Sequence, residues 1–384
     1  MGRKGGRRIL WLIKGLEVGG AETLLVSMAS HGDLDESFRY EAAHTMSRLH
    51  TLRSDLEEAG VPVHDLGARH SLDLRWMPRL VDLVRTRDYD VVHAHSPLVA
   101  GGARLALRTA LRGARPALVT TEHSVWDNYR AATRFLNALT FRLEDAHVAV
   151  SEGVRGSFPE RFASQLEVVV QGIPLYEMKH LRAQRDARRA QLGLSDEEVV
   201  VATVANLKPE KDYPTLLEAA AQVLQRNPQV RFLAIGYGPE EQRLRARHAR
   251  LGLGDRFRFL GYRDDAVSVT AACDVFALSS YQEGFPLAVM EALAVGVPTV
   301  ATDVGGIPSA VTEGEVGFVV PPHRPDLLAD RIERLVRDPE LRARMSGTAR
   351  EAAGRFDIRR TVAETERIYE RVLARRRGRR SCRT

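Results

Sequence analysis

The chain has 384 residues and a mass of 42.7 kDa, enough for two domains or one large one. With 44% hydrophobic and 28% charged residues it can bury a sizeable core, which excludes disorder as its main state. The net charge of +6 and the pI of about 9.5 suggest nucleic acid, but the excess belongs to the two ends. Arg3, Lys4, Arg7 and Arg8 precede the first strand, and seven arginines with no acid follow from Arg371 to Thr384. Those eleven cations leave the chain between them at about −5, so a basic nucleic-acid groove is disfavoured. Basic ends can touch an anionic membrane surface, although a solvated tail is the simpler reading.

The first apolar run, Ile9–Ile13, is bounded by Arg8 and Lys14 and is too short for a secretory signal; it reads as a buried strand. No run is long enough to span a membrane. Cys273 and Cys382 cannot build a disulfide framework, which suggests a reducing, cytoplasmic location, peripheral to the inner membrane face at most.

After the strand Arg8–Ile13 comes a glycine-containing loop and a helix pattern over Ala21–Ala29. Further strands are expected at Tyr40–Thr45, Val61–Leu66, Asp90–His93, Ala117–Thr121, Asp145–Val150 and Leu166–Val170. Between Leu175 and Glu198 the composition turns polar and arginine-rich. Strand signals then return at Val199–Val204, Val230–Ile235, Phe257–Leu260, Asp274–Leu278, Pro298–Thr302 and Gly317–Val320, with amphipathic stretches between them. A breaker-free helix is expected over Asp357–Arg377. This alternation predicts an α/β chain with a first domain over 1–175, a linker over 176–198, a second domain over 199–356, and a helix with a basic tail over 357–384. Ligands of such sheets bind outside the carboxyl ends of the strands, here in a cleft between the halves.

The segment from Ser279 to Ala292 follows a strand and opens a helix. Pro286 suits a first helical turn, and Gly284 lets backbone approach a ligand. The amides of Phe285 and Leu287 point out with the positive end of the helix dipole. Glu283 and Glu291, eight residues apart, add two acceptors for sugar hydroxyls. Asn206, Lys208 and Lys211 follow the first strand of this half; a lysine there could neutralise a diphosphate, and the chain has only five lysines. Gly236 and Gly238 follow the next strand, and Gly305-Gly306 a later one.

In the first half Gly19-Gly20 precede a helix and could admit a sugar or phosphate to bare backbone. The glycines lack the GxGxxG spacing of a dinucleotide fingerprint. His93, His95 and His123 close strands. His93 reads as a satisfied histidine, and His123 as a candidate acid, base or donor to a reacting sugar. No histidine carries an HExxH spacing, and Asp33-Leu34-Asp35 and Asp88-Tyr89-Asp90 sit at the wrong end of the sheet to hold a metal on a diphosphate, so no metal site is expected.

Together these features resemble the retaining glycosyltransferases of family 4. The most specific part is Glu283 to Glu291, which matches that family's E-x7-E motif. Gly19-Gly20-Ala21-Glu22, Val91-Val92-His93, the turn at His123, Gly236-Tyr237-Gly238-Pro239 and Thr302-Asp303-Val304-Gly305-Gly306 follow in the same order. The resemblance implies a GT-B fold, with two Rossmann-like doubly wound domains facing across a cleft and a last helix crossing back to the first. It implies metal-independent, cofactor-free transfer of a sugar from a UDP- or GDP-sugar to a carbohydrate or lipid-linked acceptor, as in polysaccharide or glycolipid synthesis. Lys211 would bind the diphosphate, Glu291 the ribose and Glu283 the donor hexose, with Gly20, Gly284, Phe285, Pro286 and Leu287 lining sugar or phosphate and His123 near the reaction centre. One departure is Ala205-Asn206-Leu207, where the family often has Gly-Arg-Leu; Lys208 would have to supply the missing charge. A sugar-nucleotide 2-epimerase and a non-catalytic sugar-nucleotide-binding subunit are the alternatives.

Overall fold

The computed structural model describes residues 6–111 and 115–381, with side chains described as far as Gly378. Arg3, Lys4, Cys382 and Arg383 lie outside the described residues. The chain forms two units, Met1–Gly172 with Ile358–Thr384, and Ile173–Asp357.

The first unit holds a seven-stranded parallel sheet made of β1 (Arg7–Ile13), β2 (Phe38–Met46), β3 (Val63–Ala68), β4 (Val91–Ala94), β5 (Ala117–Glu122), β6 (Ala146–Ala149) and β7 (Leu166–Val168). Its order is β3-β2-β1-β4-β5-β6-β7. The second unit has a six-stranded sheet of β8 (Val199–Val204), β9 (Val230–Ile235), β10 (Phe257–Gly261), β11 (Val275–Leu278), β12 (Thr299–Thr302) and β13 (Gly317–Val320), ordered β10-β9-β8-β11-β12-β13. Both are doubly wound Rossmann-like sheets, in which the order reverses beside the first strand. The switch points are therefore β1/β4 in one unit and β8/β11 in the other.

Burial on both faces explains why the strands are legible as apolar runs. In β1, Ile9, Trp11 and Ile13 feed one core layer while Leu10 and Leu12 feed the other. The layer of Trp11 is completed by Ile358, Val362, Ile368, Tyr369 and Val372 of the last helix, Ile358–Ser381. This helix therefore belongs to the first unit although it follows the second in the chain. Trp11 Nε1 donates to the Tyr369 hydroxyl at 3.3 Å, and that hydroxyl lies 2.6 Å from His93 Nδ1.

The stretch 176–198, expected as a linker, is instead part of the second unit, which begins at Ile173. It forms the short helices Leu175–Met178 and Arg185–Leu192 with a 3-10 turn between them. Its arginines explain its composition. Arg182 donates to the carbonyls of Ala271 and Cys273, each at 2.7 Å, and the buried Arg189 reaches the Ala272 carbonyl and Asp274 at 3.2 Å. Orphan carbonyls at a helix end and the carboxylate heading β11 are thereby satisfied. The expected first-domain limit of 175 moves to Gly172 for the same reason.

Several of the basic end residues are structural. Arg8 pairs with Glu41, Arg7 with Glu370 at 3.7 Å, Arg371 with Glu167 at 2.6 Å, and Arg376 with Asp145 at 3.0 Å. Those four are tied into the first unit, which reduces the charge that the described ends present to solvent. Among the described residues no helix is long and apolar enough to cross a membrane.

Candidate active site

In the second unit the loops after β8 and β11, at the switch point, carry the central feature. Lys211 Nζ lies 2.5 Å from Glu283 Oε1, and Ser280 Oγ donates to the same oxygen at 2.7 Å. Glu283 is buried and Lys211 half-buried, so solvent screens this pair less than a surface one. The two loops are stitched by backbone as well. Ser279 Oγ donates to the carbonyls of Lys211 and Asp212 at 2.9 and 3.0 Å, and Tyr281 N donates to the Glu210 carbonyl at 3.0 Å. Asp212, in a left-handed conformation with φ of 44°, accepts from Thr215 Oγ1 and lies 2.7 Å from His323 Nδ1. Lys211 is thus carried on a braced turn.

A third loop supports Glu283 from behind. Gly305 has φ of +57°, and a side chain there would meet the Glu283 carbonyl at 2.1 Å, so only glycine fits. Gly306 N donates to the Gly284 carbonyl at 2.7 Å. Gly236, with φ of +148°, passes so close to the Ala205 carbonyl that a Cβ would approach it to 2.0 Å. Gly236, Gly238 and Asn206 therefore belong to one packed corner, closed by Leu207 N donating to the Tyr237 carbonyl at 2.8 Å. The phenol rings of Tyr237 and Tyr262 meet edge to face at 5.8 Å beside this corner, both exposed.

The helix after Glu283 runs Leu287–Ala294, and Pro286 is its N-cap rather than part of its first turn. The Phe285 side chain is buried against Phe356 and leaves only its backbone for a ligand. Glu291 is one turn into that helix, partly buried, and its carboxylate makes no hydrogen bond or ion pair among the described residues. Burial pushes its carboxyl from 4.5 up to about 7. Lys208 is exposed and enters no ion pair among the described residues.

The first unit places His123 just beyond β5. Its Nδ1 lies 2.6 Å from the Gln171 side-chain nitrogen and its Nε2 3.2 Å from His95 Nδ1. Gln171 can only donate from nitrogen, so the pattern assigns the proton of His123 to Nε2. Burial lowers its pKa to about 4, and that of His93 to about 3, so the imidazoles are neutral near pH 7. His93 has partners on both nitrogens, Tyr369 and Thr121, as expected of a satisfied histidine. His95 Nε2 is buried without a partner among the described residues. Gly19 caps the helix Gly20–His31, and no hydrogen bond joins either glycine to His123 among the described residues. Asp33 and Asp88 occupy left-handed turn positions before β2 and β4, away from the carboxyl ends of the strands. No group of three potential metal ligands occurs among the described residues.

Gln171, Ser280 and the Tyr237–Tyr262 pair are not legible as site residues in the sequence. A glutamine after an apolar run or a serine in a loop carries no pattern of its own; Gln171 matters through His123, 48 residues away, and Ser280 through the carboxylate of Glu283.

Two Rossmann-like sheets of this order, a returning last helix and the Glu283–Glu291 motif on the second unit define a GT-B glycosyltransferase. Two family models match: Glycosyltransferase Family 4 over residues 6–176 and Glycosyl transferases group 1 over residues 184–352. The chain belongs to the family 4 glycosyltransferases. It is 40% identical over 205 residues to a D-inositol 3-phosphate glycosyltransferase of Corynebacterium efficiens, covering 51% of this chain and 48% of that protein. It thus spans about half the length of that relative. It is 26% identical over 305 residues to the N-acetyl-alpha-D-glucosaminyl L-malate synthase of Bacillus anthracis, covering 78% of this chain and 80% of the relative. Among solved structures, Alr3699/HepE of Anabaena in complex with UDP and glucose is similar with a TM-score of 0.80 and 27% identity, over 94% of this chain and 99% of that one.

Proposed function

We propose that this enzyme transfers a hexose-type sugar from a UDP- or GDP-sugar to a hydroxyl acceptor, with retained anomeric configuration and without a resident metal. The observation that carries the reading is the braced Lys211–Glu283 pair at the β8/β11 switch point, with Glu291 one turn into the helix that follows. The complexes of HepE with UDP and with UDP-glucose favour uracil as the base.

The chemistry follows from charge. Breaking the bond between the anomeric carbon and the phosphate oxygen leaves negative charge on the nucleoside diphosphate and positive charge on the sugar ring. Lys211 and the backbone amides opening the helix Leu287–Ala294 stabilise the first. Glu283 stabilises the second and orients the hexose hydroxyls. The acceptor oxygen bonds to the anomeric carbon on the face that the phosphate leaves, and its proton passes to the departing phosphate oxygen. His123, neutral and protonated on Nε2, turns that N–H from His95 Nδ1 to a hydroxyl of the donor sugar. Glu291 accepts from the ribose hydroxyls, and the Tyr237–Tyr262 corner flanks the base. The acceptor is held by the first unit.

The test is product analysis by NMR with UDP-glucose, UDP-N-acetylglucosamine and GDP-mannose against a panel of hydroxyl acceptors. A new glycosidic bond of the donor's configuration, formed after exhaustive chelation, supports the reading. Donor isomerisation with no acceptor would instead identify an epimerase. Activity that is abolished by chelation and restored by manganese would overturn metal independence.

A further inference from the structure

Lys14 follows β1 at the switch point of the first sheet, where ligands of doubly wound folds bind. With Thr45, His70, Ser71 and Trp76 it lines a shallow hollow of about 20 Å³. Ordered water needs roughly 10–15 Å³ of such space, so the floor accepts one compact group and not a sugar ring. No carboxylate lines the hollow. Lys14 is half-buried and enters no ion pair among the described residues.

The nearby acid is already engaged. Asp73 is gripped by Arg75 at 2.9 and 2.6 Å and accepts the amides of Arg69 and Arg75. Asp65, on β3, accepts from Ser47 Oγ and from the Gly67 amide. A half-buried ammonium without a counter-charge can take an anion as its partner. Thr45 Oγ1 donates to the Lys14 carbonyl at 3.0 Å, which anchors the backbone of Lys14 beside the hollow.

We infer that Lys14 binds an oxyanion, a phosphate or carboxylate carried by the acceptor, with the Ser71 hydroxyl and the His70 ring on the rim as further donors. The acceptor is then an anionic hydroxyl compound. This assignment rests on the proposed role of the first unit as the acceptor side, whereas the anion site can be tested without it.

Limited acetylation of the full-length protein, mapped by mass spectrometry, reads all five lysines separately. Inorganic phosphate or acetate, against chloride at equal ionic strength, should slow labelling of Lys14 several-fold and leave the exposed Lys179 unchanged. The stronger protector identifies the group. In transfer assays, glucose is compared with glucose 6-phosphate and glycerol with glycerate. The anionic members should be preferred, and Lys14→Met should lower kcat/KM for them about ten-fold with UDP affinity unaltered; Lys14→Arg should recover part of the loss. Equal labelling of Lys14 in phosphate, acetate and chloride overturns the inference, as does Lys14→Met with wild-type kcat/KM. Absence of transfer from every donor would defeat the proposed function, while the labelling would still decide the anion site.

Discussion

Lys211 and Glu283, 72 residues apart in the chain, form one ion pair at 2.5 Å across the switch point of the second sheet. The two charges neutralise each other, and in the proposed reaction a donor diphosphate would compete with Glu283 for the ammonium. Lys211→Ala should weaken UDP binding by roughly 10- to 100-fold, the scale of a charge-assisted hydrogen bond of about 1.5–3 kcal/mol. Glu283→Gln frees Lys211, so UDP binding should hold or improve while kcat falls. Calorimetry and steady-state kinetics on the two variants check this; a parallel loss of binding in both would contradict it.

Glu291 sets a pH dependence. Burial raises its carboxyl from 4.5 to about 7, so between those values the folded chain keeps a proton that the unfolded chain has lost. Its contribution to stability is full below about pH 4.5 and is lost as pH rises through about 7. Because the group is partly exposed, the change is on the order of 1–2 kcal/mol. Ribose hydroxyls favour the ionised form, so UDP affinity should rise over the same interval. Glu291→Gln should flatten both trends; thermal melts and titrations at pH 5, 7 and 8.5 read them.

Gln171 positions His123. Gln171→Leu removes the donor to Nδ1 and should lower kcat roughly five- to ten-fold, about one hydrogen bond's worth, with little change in donor KM. Gln171→Glu, which can only accept when ionised, should move the proton of His123 to Nδ1 and cost more. Nitrogen-15 spectra of the histidine rings distinguish the two tautomers, a readout that simple loss of stability would not shift.

Tyr369 ties the last helix to the sheet of the first unit. Tyr369→Phe leaves Trp11 Nε1 and His93 Nδ1 without their common partner and should destabilise the protein by about 1–3 kcal/mol. The melting temperature should fall while UDP binding, which is assigned to the other unit, stays unchanged.

The strands of both sheets are legible in sequence because parallel strands covered on both faces must be apolar throughout, and β8, β9 and β13 have the expected bounds. The stretch 176–198 reads as a linker in sequence, yet belongs to the second unit, for the converse reason. Arg182 and Arg189 look like solvent-exposed charge in a linear chain, but they are consumed by carbonyls and by Asp274 some 80–90 residues away.

Sequence alone determined the alternation of strands and helices, the order of the glycine turns and the eight-residue interval from Glu283 to Glu291. Each of these is local, written in neighbouring residues whose backbone geometry and burial depend on one another. Only the tertiary structure decided that Lys211 meets Glu283, that Gln171 and His95 bracket His123, and that Lys14 has no counter-charge among the described residues. Those facts depend on which strand ends the sheet order brings together, and no local interval records that.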